Sequence, residues 1–147
     1  MPVRPARPDD VDALCGLIHD LARYEHLEDQ VALQPTDLST WLFGPGAVAS
    51  AAIAETDEGE AAGFALWFAT FSTFLGRPGI WLEDLFVRPA LRGQGHGWAL
   101  LSHLRERTDG RLEWSVLDWN ESAIAFYERV GARRLDGWTT YRWPPRG

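Results

Sequence analysis

The segment Ile80–Leu101, IWLEDLFVRPALRGQGHGWALL, restricts the fold of this chain more than any other stretch. It reads as an apolar strand interrupted by Glu83 and Asp84, then a turn at Pro89, then a glycine-rich loop opening an amphipathic helix. A carboxylate pair inside an apolar strand costs free energy unless each acid has a partner or a chemical task. Glycines at a helix start let backbone N–H groups approach an anion, and the helix end adds a partial positive charge. Arg88 and Arg92 supply full charges nearby. Together these features predict an enzyme that holds a phosphorylated coenzyme beside a general acid or base.

The chain has 147 residues, enough for one domain with one core, and 1–147 is expected to be a single domain. Its net charge of −7 argues against a nucleic-acid surface, which needs a basic footprint, and suits a cationic small substrate. Every basic residue other than histidine is Arg, so lysine Schiff-base chemistry is excluded. The lone Cys15 leaves no internal disulfide and fits a reducing, cytoplasmic setting. No stretch reads as a signal peptide or a membrane span. The four histidines, His19, His26, His96 and His103, show no metal-ligand spacing, so no metal is expected.

Hydrophobic periodicity gives the elements around that segment. Val3–Arg4 is a minimal strand, and Val11, Leu14, Ile18 and Leu21 mark a helix running to Tyr24 that Asp9 or Asp10 can cap. A short helix starts at Pro35 and stops at Gly44-Pro45. Strands Val48–Glu55 and Ala62–Phe71 flank the turn TDEGE, and Ile80–Val87 follows. A helix over Gly95–Arg107, a strand Leu112–Leu117 and a helix from Asn120 or Glu121 to Val130 come next. Arg133–Leu135 and Thr139–Trp143 read as a closing hairpin around Asp136-Gly137. The order βααβββαβαββ predicts an α/β (α+β) fold: a mixed, mostly antiparallel twisted sheet with helices on both faces.

Alternation puts Glu83 with Trp81, Leu85 and Val87, and Asp84 with Leu82 and Phe86. At least one acid is then partly desolvated, which raises its pKa toward the range of a general base; an ion pair with an arginine is the alternative. YEHLEDQ, Tyr24–Gln30, is open between a solvated helix end and an acidic binding segment. Tyr127 beside Phe126 is open between a packed aromatic and a functional phenol. The loop Arg92–Gly97 lacks the Lys of a P-loop, and its G-x-G-x-G spacing departs from a Rossmann fingerprint.

Arg92-x-x-Gly95-x-Gly97 after an acid-bearing strand resembles the acetyl-coenzyme A loop of the GNAT superfamily of N-acetyltransferases. RPARPDDV, LARYEHLEDQV, FSTFLGRPGIWLEDLFV, LEWSVLDWNESAIAFYERVGA and GWTTYR extend the likeness over nearly the whole chain. They resemble the diamine (spermidine/spermine) and thialysine N-acetyltransferase branch. The resemblance implies that acetyl-CoA is the cosubstrate and that the acceptor is a primary amine of a small cation. It implies that Leu85, Phe86 and Val87 hold the pantetheine arm, and that Arg92, Gly93, Gln94, Gly95, His96, Gly97 and Trp98 hold the pyrophosphate. Asn120, Glu121, Ser122 and Ala123 would line the coenzyme channel. Tyr127 matches the general acid, which also contacts coenzyme, and Glu83 matches the acid that takes the amine's proton through water. Tyr24, Glu25, Asp84, Glu113, Trp114 and Ser115 match substrate contacts. A homodimer is implied, with no nucleic-acid or membrane partner. Another amine (an aminoglycoside, a different amino acid, a protein N-terminus) and a non-catalytic coenzyme-A-binding module are the rival readings. Three departures stand out: Trp98 in place of a small or hydrophilic loop residue, a short Arg107–Arg111 link, and a chain that stops soon after its last expected strand.

Overall fold

A computed structural model describes residues 2–147. They fall into two compact units, one ending at Ser115 and one beginning at Val116.

The first unit is built on a five-stranded sheet in the order β1 (Val3–Pro5), β2 (Ser50–Glu55), β3 (Ala61–Ser72), β4 (Arg77–Val87) and β5 (Leu112–Glu113). Neighbours are antiparallel up to β4, and β5 joins β4 in parallel. One face buries Ala51, Ile53, Phe64 and Phe86 against helix α1 (Val11–Tyr24) and Leu38 of α2 (Pro35–Leu38). The helical stripe read from the sequence supplies the other half of that core, with Leu14 fully buried, and Leu17, outside that stripe, is fully buried as well. The alternate residues Ala52, Ala54 and Ala65 are also fully buried and point the other way, toward α3 (His96–Arg105), which lies against β1 to β4. Trp67 shares their parity, and its ring meets His103 of α3 edge-on at 6.1 Å. Small residues on this face let α3 sit close to the sheet.

Asp10 stands at the N-cap of α1, but its side chain makes no capping bond. Its carboxylate instead takes both terminal nitrogens of Arg4, at 2.7 and 2.9 Å, and the Arg7 N–H at 2.6 Å. The bond from Arg4 holds the Asp10 carboxyl below the usual carboxylate range, with the Arg7 N–H adding to it against the cost of burial. The pairing fastens β1 to the start of α1.

The second unit holds α4 (Glu121–Arg129), capped by Asn120, whose side-chain oxygen accepts the Ala123 N–H at 3.3 Å. The observed order agrees with expectation through α4. The closing strands expected at 133–135 and 139–143 do not form. The Asp136-Gly137 turn between them does, with Gly137 at φ +88°. A hairpin needs an apolar face packed on something, and Trp138, Tyr141 and Trp143 are all more than four-fifths exposed. The strand expected over Leu112–Leu117 is likewise only Leu112–Glu113, because pairing with β4 ends at Trp81↔Glu113.

Candidate active site

The pairing of β3 with β4 contains a bulge at Glu83. Leu66 faces Asp84 and Trp67 faces Leu82, so Glu83 is the extra residue on β4. Residues paired across a ladder share a face. Phe64 faces Phe86 and Phe68 faces Trp81, which puts Trp81, Asp84 and Phe86 together on the α1 face, with Leu82 on the α3 face. Simple alternation, which joined Trp81 to Val87 and Leu82 to Phe86, is therefore corrected by the bulge. Glu83 is exposed and accepts the Trp81 indole N–H at 3.2 Å. Asp84 is half-buried, and its carboxyl is pushed up to about 7 by desolvation, with the charges of Glu83 and Glu25 adding to it. Of the two acids, Asp84 is the one the fold desolvates.

Glu25 comes to Asp84 from the end of α1. That helix closes with the Leu27 N–H on Ala22 O at 2.8 Å and the His26 N–H on Arg23 O at 3.1 Å. This is the paired-bond stop that glycine usually completes. His26 fills the left-handed position instead, at φ +60°. The stop makes Glu25 the C-cap of the helix and half-buries its carboxyl, and that desolvation raises its pKa. A non-glycine residue in this conformation stores strain of order 1 kcal/mol. His26→Gly is expected to stabilise the chain by about 1 kcal/mol, read as a higher urea midpoint at unchanged slope.

The glycine loop lies between Pro89–Leu91, a single tight turn, and α3. Gly93 and Gly95 sit at φ +77° and +91°, values that side chains with a Cβ rarely adopt. Ala99 closes onto Gly95 O at 3.0 Å, so the N–H groups of the first turn face outward from the helix end. His96 is buried there, with Nδ1 unpartnered. Trp98 is half exposed. Neither nearby arginine extends freely from the loop. Arg88 is paired with Asp20 at 2.9 Å and donates to Ala61 O at 3.0 Å. Arg92 donates Nε–H to Val87 O at 3.0 Å and lies over the rings of Tyr24 and Phe86.

Beyond Trp81 no strand pairs with the outer edge of β4 among the described residues, although β4 runs on to Val87. Leu85, Phe86 and Val87 therefore lie along an open strand edge, on the same strand as the acids. Glu113 ends β5 opposite Trp81, and Trp114 and Ser115 lie just beyond the ladder. The first unit thus gathers Tyr24, Glu25, Asp84, Phe86 and Arg92, and sets the glycine loop at the far end of β4. In the second unit, Asn120 is buried as the cap of α4, with Glu121, Ser122 and Ala123 forming its first turn. Tyr127 is half-buried, its ring 5.5 Å from that of Phe126. Among the described residues, no cluster of three His, Cys, Asp or Glu could hold a metal ion.

The sequence profile described as the acetyltransferase (GNAT) family matches residues 15–132, and the chain belongs to that family. It is similar to thialysine N-epsilon-acetyltransferase of Bos taurus, 34% identical over 95% of this chain and 90% of the relative. It is also similar to spermidine/spermine N(1)-acetyltransferase-like protein 1 of Homo sapiens, 28% identical over 95% of this chain and 22% of the relative. Among solved structures, an integron cassette protein from the mobile metagenome of V. cholerae superposes with a TM-score of 0.80, at 25% identity over 98% of this chain and 92% of that one. The chain is an acyltransferase of the GNAT class, with the mixed α/β fold of its structural neighbours.

Proposed function

We propose that this enzyme acetylates a primary amine of a small cation, a thialysine- or lysine-like amino acid or a di- or polyamine. The observation that carries this reading is the acidic cluster at the bulge: Asp84 is desolvated, and the charges of Glu83 and Glu25 lie close enough to raise the cost of ionising it further. A cluster of carboxylates, two of them desolvated, favours an ammonium over a neutral or anionic acceptor. The names of the relatives support the same substrate class.

Acetyl-CoA is the cosubstrate implied by the family and supplies an acetyl group activated as a thioester. The residues present suit it. The loop glycines and the N–H groups at the start of α3 suit a pyrophosphate. The open edge of β4 suits an extended amide-bearing arm, which adds to a sheet as a strand does. Asn120–Ala123 are assigned as further coenzyme contacts.

The acceptor nitrogen must shed a proton before it attacks, since an alkylammonium has a pKa of about 10.4. We assign Glu83 to receive that proton through water, and Asp84, Glu25, Tyr24 and Glu113–Ser115 to hold the cation. A second reading, in which Asp84 itself takes the proton, is favoured by its pKa near 7. A backbone N–H on the β4 edge would stabilise the developing oxyanion. As the N–C bond forms and the C–S bond breaks, Tyr127 would protonate the departing sulfur. The arrangement needs no metal.

The reading is tested by thiol release from acetyl-CoA with a panel of amines. Thialysine, spermidine or a related diamine is expected to turn over at least tenfold faster in kcat/KM than an aminoglycoside or a peptide N-terminus, about 1.4 kcal/mol of discrimination. Turnover with none of the amines would leave a coenzyme-A-binding module instead. We also read the active form as a cytoplasmic homodimer, in a reducing compartment that suits the lone thiol of Cys15. The exposed Leu135, Trp138, Tyr141 and Trp143 support an interface, and sedimentation measures the stoichiometry.

A further inference from the structure

We infer that Arg92 is a positioning residue for the amine rather than a charge for the coenzyme phosphates. Its place in the glycine loop suggests a phosphate ligand, but its side chain turns back onto Tyr24 and Phe86. Nε donates to Val87 O at 3.0 Å, and the guanidinium carbon lies 4.6 Å from the centre of the Tyr24 ring and 5.5 Å from that of Phe86. The two rings are 6.4 Å apart and inclined at 56°, so the planar cation closes a three-sided stack. A guanidinium over an aromatic face is attracted by the ring quadrupole and keeps its planar geometry.

The positions of the two rings give the stack its role. Tyr24 immediately precedes Glu25 on α1, and Phe86 lies two residues from Asp84 on the same face of β4. Arg92 therefore joins the loop to the two elements that carry the desolvated acids, and fixes the distance between the end of α1 and β4. The arginine also brings a permanent positive charge to the two rings. A lysine would keep that charge. It would lose the planar stack and, with no N–H at the Nε position, the bond to Val87 O.

This inference rests on the amine-acetyltransferase reading and is tested with the full chain. Arg92→Lys and Arg92→Met are each assayed with acetyl-CoA and whichever of thialysine and spermidine turns over. Both variants are expected to raise the amine KM by about fivefold, the upper end for an exposed cation–π contact, and to leave the CoA Kd in calorimetry within about twofold. In a Tyr24→Leu background the Arg92→Met effect on amine KM is expected to disappear, since coupled neighbours are not additive. The inference is overturned if Arg92→Lys keeps the wild-type amine KM while Arg92→Met weakens CoA. It is equally overturned if the Arg92 and Tyr24 effects simply add. Absence of turnover by the wild type defeats the functional reading alone. The same double-mutant cycle read by urea unfolding then decides the stack: coupling supports it, and additivity overturns it.

Discussion

Glu83→Gln is expected to lower kcat by about 10²–10⁴-fold, while Asp84→Asn is expected to act mainly on amine KM and to erase an ionisation near pH 7. The two acids are adjacent, yet the bulge gives them different surroundings. Glu83 is exposed and bonded to the Trp81 indole, and Asp84 is held against the α1 face with Glu25 across from it. Because burial favours the neutral form of Asp84, amine kcat/KM should rise as pH increases through about 7, where the anion that attracts an ammonium appears. That limb should be missing in Asp84→Asn. Stability should move the opposite way. The folded chain retains a proton on Asp84 that the unfolded chain has released, so stability falls as pH rises from the ordinary value of 3.8 to about 7. Asp84→Asn should therefore be more stable than wild type at pH 8, and the difference should vanish at low pH. Loss of kcat in Asp84→Asn with little change in Glu83→Gln would transfer the base role to Asp84.

Tyr127→Phe is expected to reduce kcat by roughly tenfold or more while coenzyme binding is retained. The departing thiolate needs a proton at neutral pH, and a phenol carries one without being ionised itself. The substitution keeps the ring beside Phe126 and removes only the hydroxyl, so packing is held constant. Isothermal titration with CoA and single-turnover kinetics separate binding from chemistry. Wild-type turnover in this variant would reduce Tyr127 to a packed aromatic.

How much of this was legible in the sequence depended on distance along the chain. The α1 stripe of Val11, Leu14, Ile18 and Leu21 and the glycine spacing after β4 are local patterns, and both formed as read. Asn120 as a cap was equally local. The bulge was not legible, because it depends on the register of β3 against β4, and one extra residue moves Trp81 to the other face. Arg88 was read from its neighbours on the chain, although its partner Asp20 lies 68 residues away. The stacking of Arg92 on Tyr24 is of the same kind, a contact between an element and a loop that no periodicity encodes. The closing hairpin was read from a sound turn at Asp136-Gly137, but a turn does not supply the packed face that strands require.

The two-residue pairing of β5 with β4 carries one more consequence. An unpaired strand edge is a template for any extended chain, including another molecule of the same protein. Backbone amides along the open edge from Glu83 to Val87 should exchange with deuterium faster than those of the β3–β4 ladder, and slow sharply when CoA is added. Preparations freed of coenzyme should accordingly clump on storage, and saturating CoA should keep them dispersed.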